Sequence, residues 1–265
     1  MSVSMNGKTV LVTGGGTGIG AAVAQEVVAE GGRVVVTGRR RHVLEEVAAS
    51  LGGAAAVFVA DAGKREDMEG AVAFAAEVFS PIDAVVACAG TMGANGVASA
   101  SDEEWLRILH DNLTTVFVTA RAALPVLIDR KGALVVVSSL GGLQAVPHSC
   151  GYTAAKHGAI GLVRSMAFDY GPQGVRVNAV CPGFVTTPMA DGHMSLVMAR
   201  ENCSLEEAYL HVSTNVPLRR AATPAEVAST CTFLASEKAS AITGAIVTVD
   251  GGASVVSAPM LRVIG

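Results

Sequence analysis

The sequence predicts an α/β protein built on a doubly wound, mostly parallel sheet of about seven strands. Two observations carry that prediction. Apolar, strand-sized runs lack polar alternation, as strands covered on both faces do, and each is followed by a longer stretch of helical period. The 265 residues are 51% hydrophobic and only 16% charged, enough to bury one large core in a single domain spanning 1–265.

The elements follow in order. TVLVTG precedes AAVAQEVVAEG, RVVVTG precedes VLEEVAASLG, AAVFVAD precedes DMEGAVAFAAEVF, and AVVACAG precedes EEWLRILHDNLTTVFVTARAALPVLI. ALVVVSS, YTAAKHGAIGLVRSMAFDYG and VRVNAVCPG continue the rhythm, and AIVTVDGG closes it after another helix. Pro125 implies a kink in its helix. One stretch departs from the alternation. Residues 188–217 are helical in period with no strand between, so they are expected to cover a substrate site, with Met189, Met194 and Met198 lining an apolar pocket.

A formal net charge of -4 gives no reason to seek nucleic acid or an anionic membrane as partner. No charge-free apolar run approaches the roughly 18 residues of a membrane span, and MSVSMNGKTVLVTGG does not read as a signal peptide, so a cytoplasmic location is expected. Five cysteines without CxxC spacing fit reduced core thiols better than a disulfide or zinc framework. Six scattered histidines and no HExxH argue against a metal.

Thr13 to Gly20, TGGGTGIG, follows the first strand and opens a helix. Gly14 allows the sharp turn, Gly18 lets backbone approach a pyrophosphate, Gly20 permits close helix packing, and the helix N-terminus faces the anion with free N–H groups. At that junction the turn marks a Rossmann-type dinucleotide site. An NAD site usually has an acid at the end of the second strand; here the sequence is Thr37-Gly38-Arg39-Arg40. A guanidinium fork suits a 2′-phosphate, so NADP(H) is favoured, with NAD(H) possible. The alternative is a solvated basic turn of Arg39, Arg40 and Arg41. Asp61 ends the third strand, either to accept from the adenine amino group or to cap the helix starting near Arg65.

Tyr152 and Lys156 stand four apart at the head of a helical stretch, on one face. A neighbouring ammonium lowers a phenol's pKa toward the working range of a proton donor. Ser139, at the end of ALVVVSS and 13 residues before Tyr152, belongs at the carboxyl edge of the sheet, where ligands bind.

TGGGTGIG, the CAG of ACAG, Asn112 in DNLTT, VVVSSLGG, YTAAK, RVNAVCPGFVTTPM and TGAIVTVDGG together resemble the short-chain dehydrogenase/reductase family, from Lys8 to Gly252. The resemblance implies a catalytic tetrad of Asn112, Ser139, Tyr152 and Lys156. Tyr152 exchanges the proton, Ser139 orients the carbonyl, Lys156 binds the nicotinamide ribose, and Asn112 anchors a water. It further implies that Pro182, Gly183, Val185 and Thr187 border the nicotinamide, that Ile19 and Gly90 touch the cofactor, and that Asp61 and Ala62 flank the adenine. Thr13, Thr17 and Ala89 complete the expected cofactor contacts. The family commonly has Asn-Asn-Ala-Gly where this chain has Ala87-Cys88-Ala89-Gly90, which removes amides that brace the fourth strand.

Leu140, Val146, Phe184 and the three methionines imply an apolar pocket without a carboxylate clamp, hence a small-molecule ketone or secondary alcohol as substrate; His148 is a further candidate contact. The expected activity is NAD(P)(H)-dependent interconversion of the two. Its rivals are an NAD-dependent dehydrogenase of a diol or hydroxy compound and a non-catalytic nucleotide-binding sensor or scaffold. An enoyl reductase is disfavoured, because such relatives often space tyrosine and lysine more widely. The resemblance points to a homotetramer, with a dimer second, and the apolar tail after Gly252 is a candidate to close over a neighbouring subunit or its active site.

Overall fold

Residues 4–256 are described in the computed structural model. The chain runs β1 (Thr9–Thr13), α1 (Gly18–Ala29), β2 (Arg33–Gly38), α2 (Arg41–Leu51), β3 (Ala55–Val59), α3 (Arg65–Val78) and β4 (Ala84–Ala87). It continues through α4 (Asp102–Leu109), α5 (Thr115–Arg130), β5 (Ala133–Val137), α6 (Cys150–Tyr170), β6 (Arg176–Pro182), α7 (Pro188–Glu201), α8 (Leu205–Val212), α9 (Pro224–Ala235) and β7 (Ile246–Val249). The strands form one parallel sheet in the order β3-β2-β1-β4-β5-β6-β7. The order reverses beside β1, so the ends of β1 and β4 open the crevice where such sheets bind ligands.

Strand residues alternate between two cores. Leu11, Val35, Val85, Leu134 and Val177 pack under α3, α5 and α6, whose Met68, Leu127 and Val163 are fully buried. Val10, Val12, Val34, Val36, Val86 and Val135 pack under α1, α2 and α9, against Val27, Leu44 and Val227. That double cover explains the unalternated apolar strands. Pro125 lies inside α5 without ending it, while a π-turn at His110–Thr114 joins α4 to α5.

The 188–217 stretch forms α7 and α8, which share a small core of their own. Met194 is 1% exposed there, against Ala208 and Tyr209, and Met198 packs beside it. Tyr209 Oη donates to Asp191 Oδ1 across 2.8 Å, tying the pair together. Ser204 and Glu207 form a reciprocal cap that starts α8, and Thr223 and Glu226 do the same for α9. Most of the apolar C-terminal tail lies outside the described residues.

Candidate active site

The turn after β1 is built by close backbone approach. Gly14 sits at φ +66°, and a Cβ on Gly20 would run into the Gly14 carbonyl oxygen. Unlike α8 and α9, α1 has no side-chain cap; Thr17 makes no such bond, which leaves first-turn N–H groups for an anion. A cleft runs from this turn past Gly38, Arg39 and Arg40 to Asp61 and Ala62, with Gly18, Ile19, Ala89 and Gly90 also on its walls. Glycines cradling an uncapped helix start, beside exposed arginines without ion-pair partners among the described residues, fit a dinucleotide phosphate.

Thr13 has a role inside the fold, and Asp61 keeps its place on the cleft without being the helix cap. Thr13 is 1% exposed and absent from the cleft wall; its Oγ1 accepts from Ala89 N at 3.2 Å and holds the end of β1 to the segment after β4. Asp61 lines the cleft but does not cap α3, whose N-cap is Lys64. Its Oδ1 accepts from Gly63 N at 3.0 Å, and its own N–H donates to Asp67 Oδ2 at 2.8 Å, which fixes the loop.

A second cavity of about 390 Å³ opens from the same crevice, and Ile19, Cys88, Gly90, Thr187 and Met189 belong to both. Ser139, Tyr152, Lys156 and Asn112 all line it. Ser139 follows β5 and accepts from Gly141 N at 3.0 Å. Tyr152 and Lys156, 8% and 5% exposed, lie one turn apart on α6, and Ser138 Oγ donates to the Lys156 carbonyl at 3.2 Å, fastening α6 to the β5 end. Asn112, in the π-turn, is fully buried: Oδ1 accepts from Thr91 N at 3.2 Å and Nδ2 donates to Ile108 O at 3.0 Å.

The electrostatics differ from the expected lowered phenol. Burial raises the Tyr152 pKa above its usual value, with the Ser139 hydroxyl opposing and the Cys181 thiol adding to the rise. Burial also lowers the Lys156 ammonium to about 8, against opposing effects of Cys88 and Cys181. In a site this dry, loss of hydration is the largest cause of both shifts. Lys156 Nζ instead donates to the Val137 carbonyl at 3.1 Å and lies 5.6 Å from the Tyr152 ring centre. Burial pushes the Cys88 thiol up to about 12, with Lys156 opposing.

Pro182, Gly183, Phe184 and Val185 lead from β6 along the cavity wall to Thr187. The Val185–Ala222 bridge uses the flanking groups, Ala222 N to Phe184 O at 2.9 Å and Thr186 N to Ala222 O at 3.0 Å, and so leaves Val185's own N–H and C=O free of it. Thr187 Oγ1 accepts from Ala190 N at 3.2 Å as the cap of α7, which leaves its proton available.

Of the expected substrate contacts, Leu140, Val146, Phe184 and Met189 line the cavity. Met194 and Met198 do not, because they face α8. His148 is exposed in a left-handed loop position at φ +53°, and its neighbour Pro147 takes the wall instead. Sequence reasoning missed Met92, Gln144, Ala190 and His193. The last was findable: it stands one turn from Met189, so the same helix face presents both.

A glycine-turn cleft meeting a buried tyrosine and a half-buried serine defines a nucleotide-dependent oxidoreductase architecture. A family model described as enoyl-(acyl carrier protein) reductase matches residues 14–254. The chain is 46% identical over 257 residues to Protein MoaE of Klebsiella aerogenes, covering 96% of this chain and 98% of that one. It is 36% identical to 2-(S)-hydroxypropyl-CoM dehydrogenase 3 of Xanthobacter autotrophicus, covering 95% and 98%. A crystal structure of an actinorhodin polyketide ketoreductase variant with NADPH superposes with TM-score 0.87 at 34% identity, covering 92% of this chain and 96% of that one. The chain belongs to the short-chain dehydrogenase/reductase family.

Proposed function

We propose that this protein is an NADP(H)-preferring oxidoreductase that interconverts a small ketone and the corresponding secondary alcohol. The observation that carries the reading is the position of Tyr152: a buried phenol lining, together with Ser139, a cavity that shares walls with the glycine-turn cleft. The nicotinamide, when bound, supplies or accepts the hydride. Everything else falls to the chain. Ser139 holds the substrate oxygen, and Tyr152 Oη gives a proton to that oxygen during reduction or takes it back during oxidation. Lys156 and Asn112 lie behind the tyrosine as the cation and the brace, and Lys156 also binds the nicotinamide ribose.

Gly18, Ile19 and Gly20 would hold the pyrophosphate, Asp61 and Ala62 the adenine, and Val185 and Thr187 the carboxamide. Arg39 and Arg40 support NADP(H): both are exposed on the cleft, where a 2′-phosphate would meet two guanidinium groups and no carboxylate at the end of β2. The ketoreductase that superposes on this chain was solved with NADPH, and a dehydrogenase among its relatives is named for a hydroxypropyl substrate. Both support the same chemistry.

We assign the assembly as a homotetramer in the cytoplasm. Its support is an apolar groove between α5 and α6, lined by Leu113, Phe117, Gly158 and Leu162, with Phe117 46% exposed. No helix among the described residues is long and apolar enough to cross a membrane. Screening a panel of ketones and secondary alcohols with both nucleotides, by absorbance of the reduced nicotinamide, tests the activity. Light scattering on a sizing column tests the assembly.

A further inference from the structure

The cavity beside Tyr152 is walled mostly by apolar groups, among them Met92, Val146, Phe184 and Met189. Most of its other polar side chains are already engaged. Asn112 Oδ1 takes the Thr91 N–H, Thr91 Oγ1 donates to Asp111 Oδ2 at 3.2 Å, and Ser138 Oγ donates to the Lys156 carbonyl. Gln144 is exposed. His193 differs from all of these. It is half-buried on α7, and its Nδ1 is sealed from solvent without a hydrogen-bond partner among the described residues.

That orphan atom fixes the tautomer. A neutral imidazole carries one proton, and an N–H buried without an acceptor is rarer and costlier than an unused lone pair. The proton therefore belongs on Nε2, the polar atom this side chain can offer to the cavity. A donor there needs an acceptor on the ligand. Lys156 is the sole cation among the lining residues; it donates to the Val137 carbonyl and, in the reading above, also holds the nicotinamide ribose, so the wall offers no further cation to compensate a substrate carboxylate.

We propose that His193 is a specificity residue whose Nε2–H donates to a second, uncharged oxygen of the substrate, and that the preferred substrates are doubly oxygenated: diketones or hydroxyketones with an otherwise hydrocarbon body. This rests on the oxidoreductase reading above. One oxygen lies between Ser139 and Tyr152 and the other reaches α7, which fixes the face the ketone presents to the nicotinamide.

The test compares cyclohexanone with 1,2- and 1,4-cyclohexanedione, using NADPH and NADH, in wild type, His193→Leu and His193→Gln. Taking the ratio of kcat/KM for dione over monoketone removes their difference in intrinsic reactivity. For the best dione, that ratio falls about tenfold in His193→Leu, the value of one hydrogen bond, and stays nearer wild type in His193→Gln, which keeps an N–H donor. A ratio unchanged in His193→Leu overturns the proposal, including when both rate constants drop together, as a merely structural role would make them do. Wild-type turnover of cyclohexanone but of no dione overturns it as well and leaves the oxidoreductase reading standing. Turnover of no carbonyl compound in the wider panel defeats that reading and this inference with it.

Discussion

Lys156 Nζ donates to the Val137 carbonyl across 3.1 Å while lying 5.6 Å from the centre of the Tyr152 ring. A cation in so dry a place titrates early: near 8 in the folded protein against 10.5 for the free side chain. Below pH 8 both folded and unfolded chains carry the proton, and the fold bears the whole cost of burying the charge. Between pH 8 and 10.5 the fold has released the proton and the unfolded chain has not, so this group's contribution to stability becomes more favourable as pH rises. Lys156→Met removes the titration. In the nucleotide-free protein, the variant's melting temperature minus that of wild type should be highest below pH 8 and fall steadily toward pH 10.5. A pH-independent difference would show that the amine is not buried as described.

Gly90 faces the gap between Asn112 and Lys156. A Cβ there would stand 2.8 Å from Asn112 Oδ1 and 3.5 Å from Lys156 Nζ. Gly90→Ala should cost about 1–3 kcal/mol by overpacking and lower kcat/KM at least tenfold with far-ultraviolet circular dichroism unchanged. Wild-type kinetics would mean that the Asn112 and Lys156 side chains need not hold these positions.

Arg39 is exposed on the nucleotide cleft without an acidic partner among the described residues. Arg39→Ala should weaken NADPH about tenfold and NADH less than twofold, since only the former offers a phosphate to a charge-assisted hydrogen bond. Fluorescence titration measures all four affinities, and four equal values would remove the nucleotide assignment.

Far from the crevice, Asp83 accepts from Thr9 N at 2.9 Å and from Arg130 Nη2 at 2.7 Å, with Lys8 Nζ at 3.8 Å. It fastens the start of β1 to the end of α5. Asp83→Ala should cost about 1–3 kcal/mol, because a buried N–H and a guanidinium lose their acceptor. Denaturant unfolding should register that loss with KM for substrate unchanged.

The sheet was legible because its strands are apolar on both faces, and the glycine turn and tetrad because their residues lie close in sequence or at strand ends. Residues on α7 were not. Met189, Met194 and Met198 look equivalent in the sequence, yet the first faces the cavity and the other two face α8; only the packing of α8 decides between them. The placing of His148 and His193 is hidden from the sequence for a similar reason. Proximity to Tyr152 in the chain put forward the first, but a left-handed backbone at φ +53° leaves it exposed outside the wall that Pro147 forms, and the second reaches the site from 41 residues beyond Tyr152. The raised phenol pKa was hidden too. Spacing reveals a neighbouring charge but not how much water the fold removes.

If the Tyr152 hydroxyl exchanges the proton at the substrate oxygen, removing it stops turnover and spares nucleotide binding. Steady-state turnover of the best ketone by Tyr152→Phe, run alongside nucleotide titration, tests it most directly. The account predicts a loss of about 10²-fold or more in kcat with nucleotide affinity within about threefold of wild type. Turnover by the phenylalanine variant at near wild-type rate would contradict it.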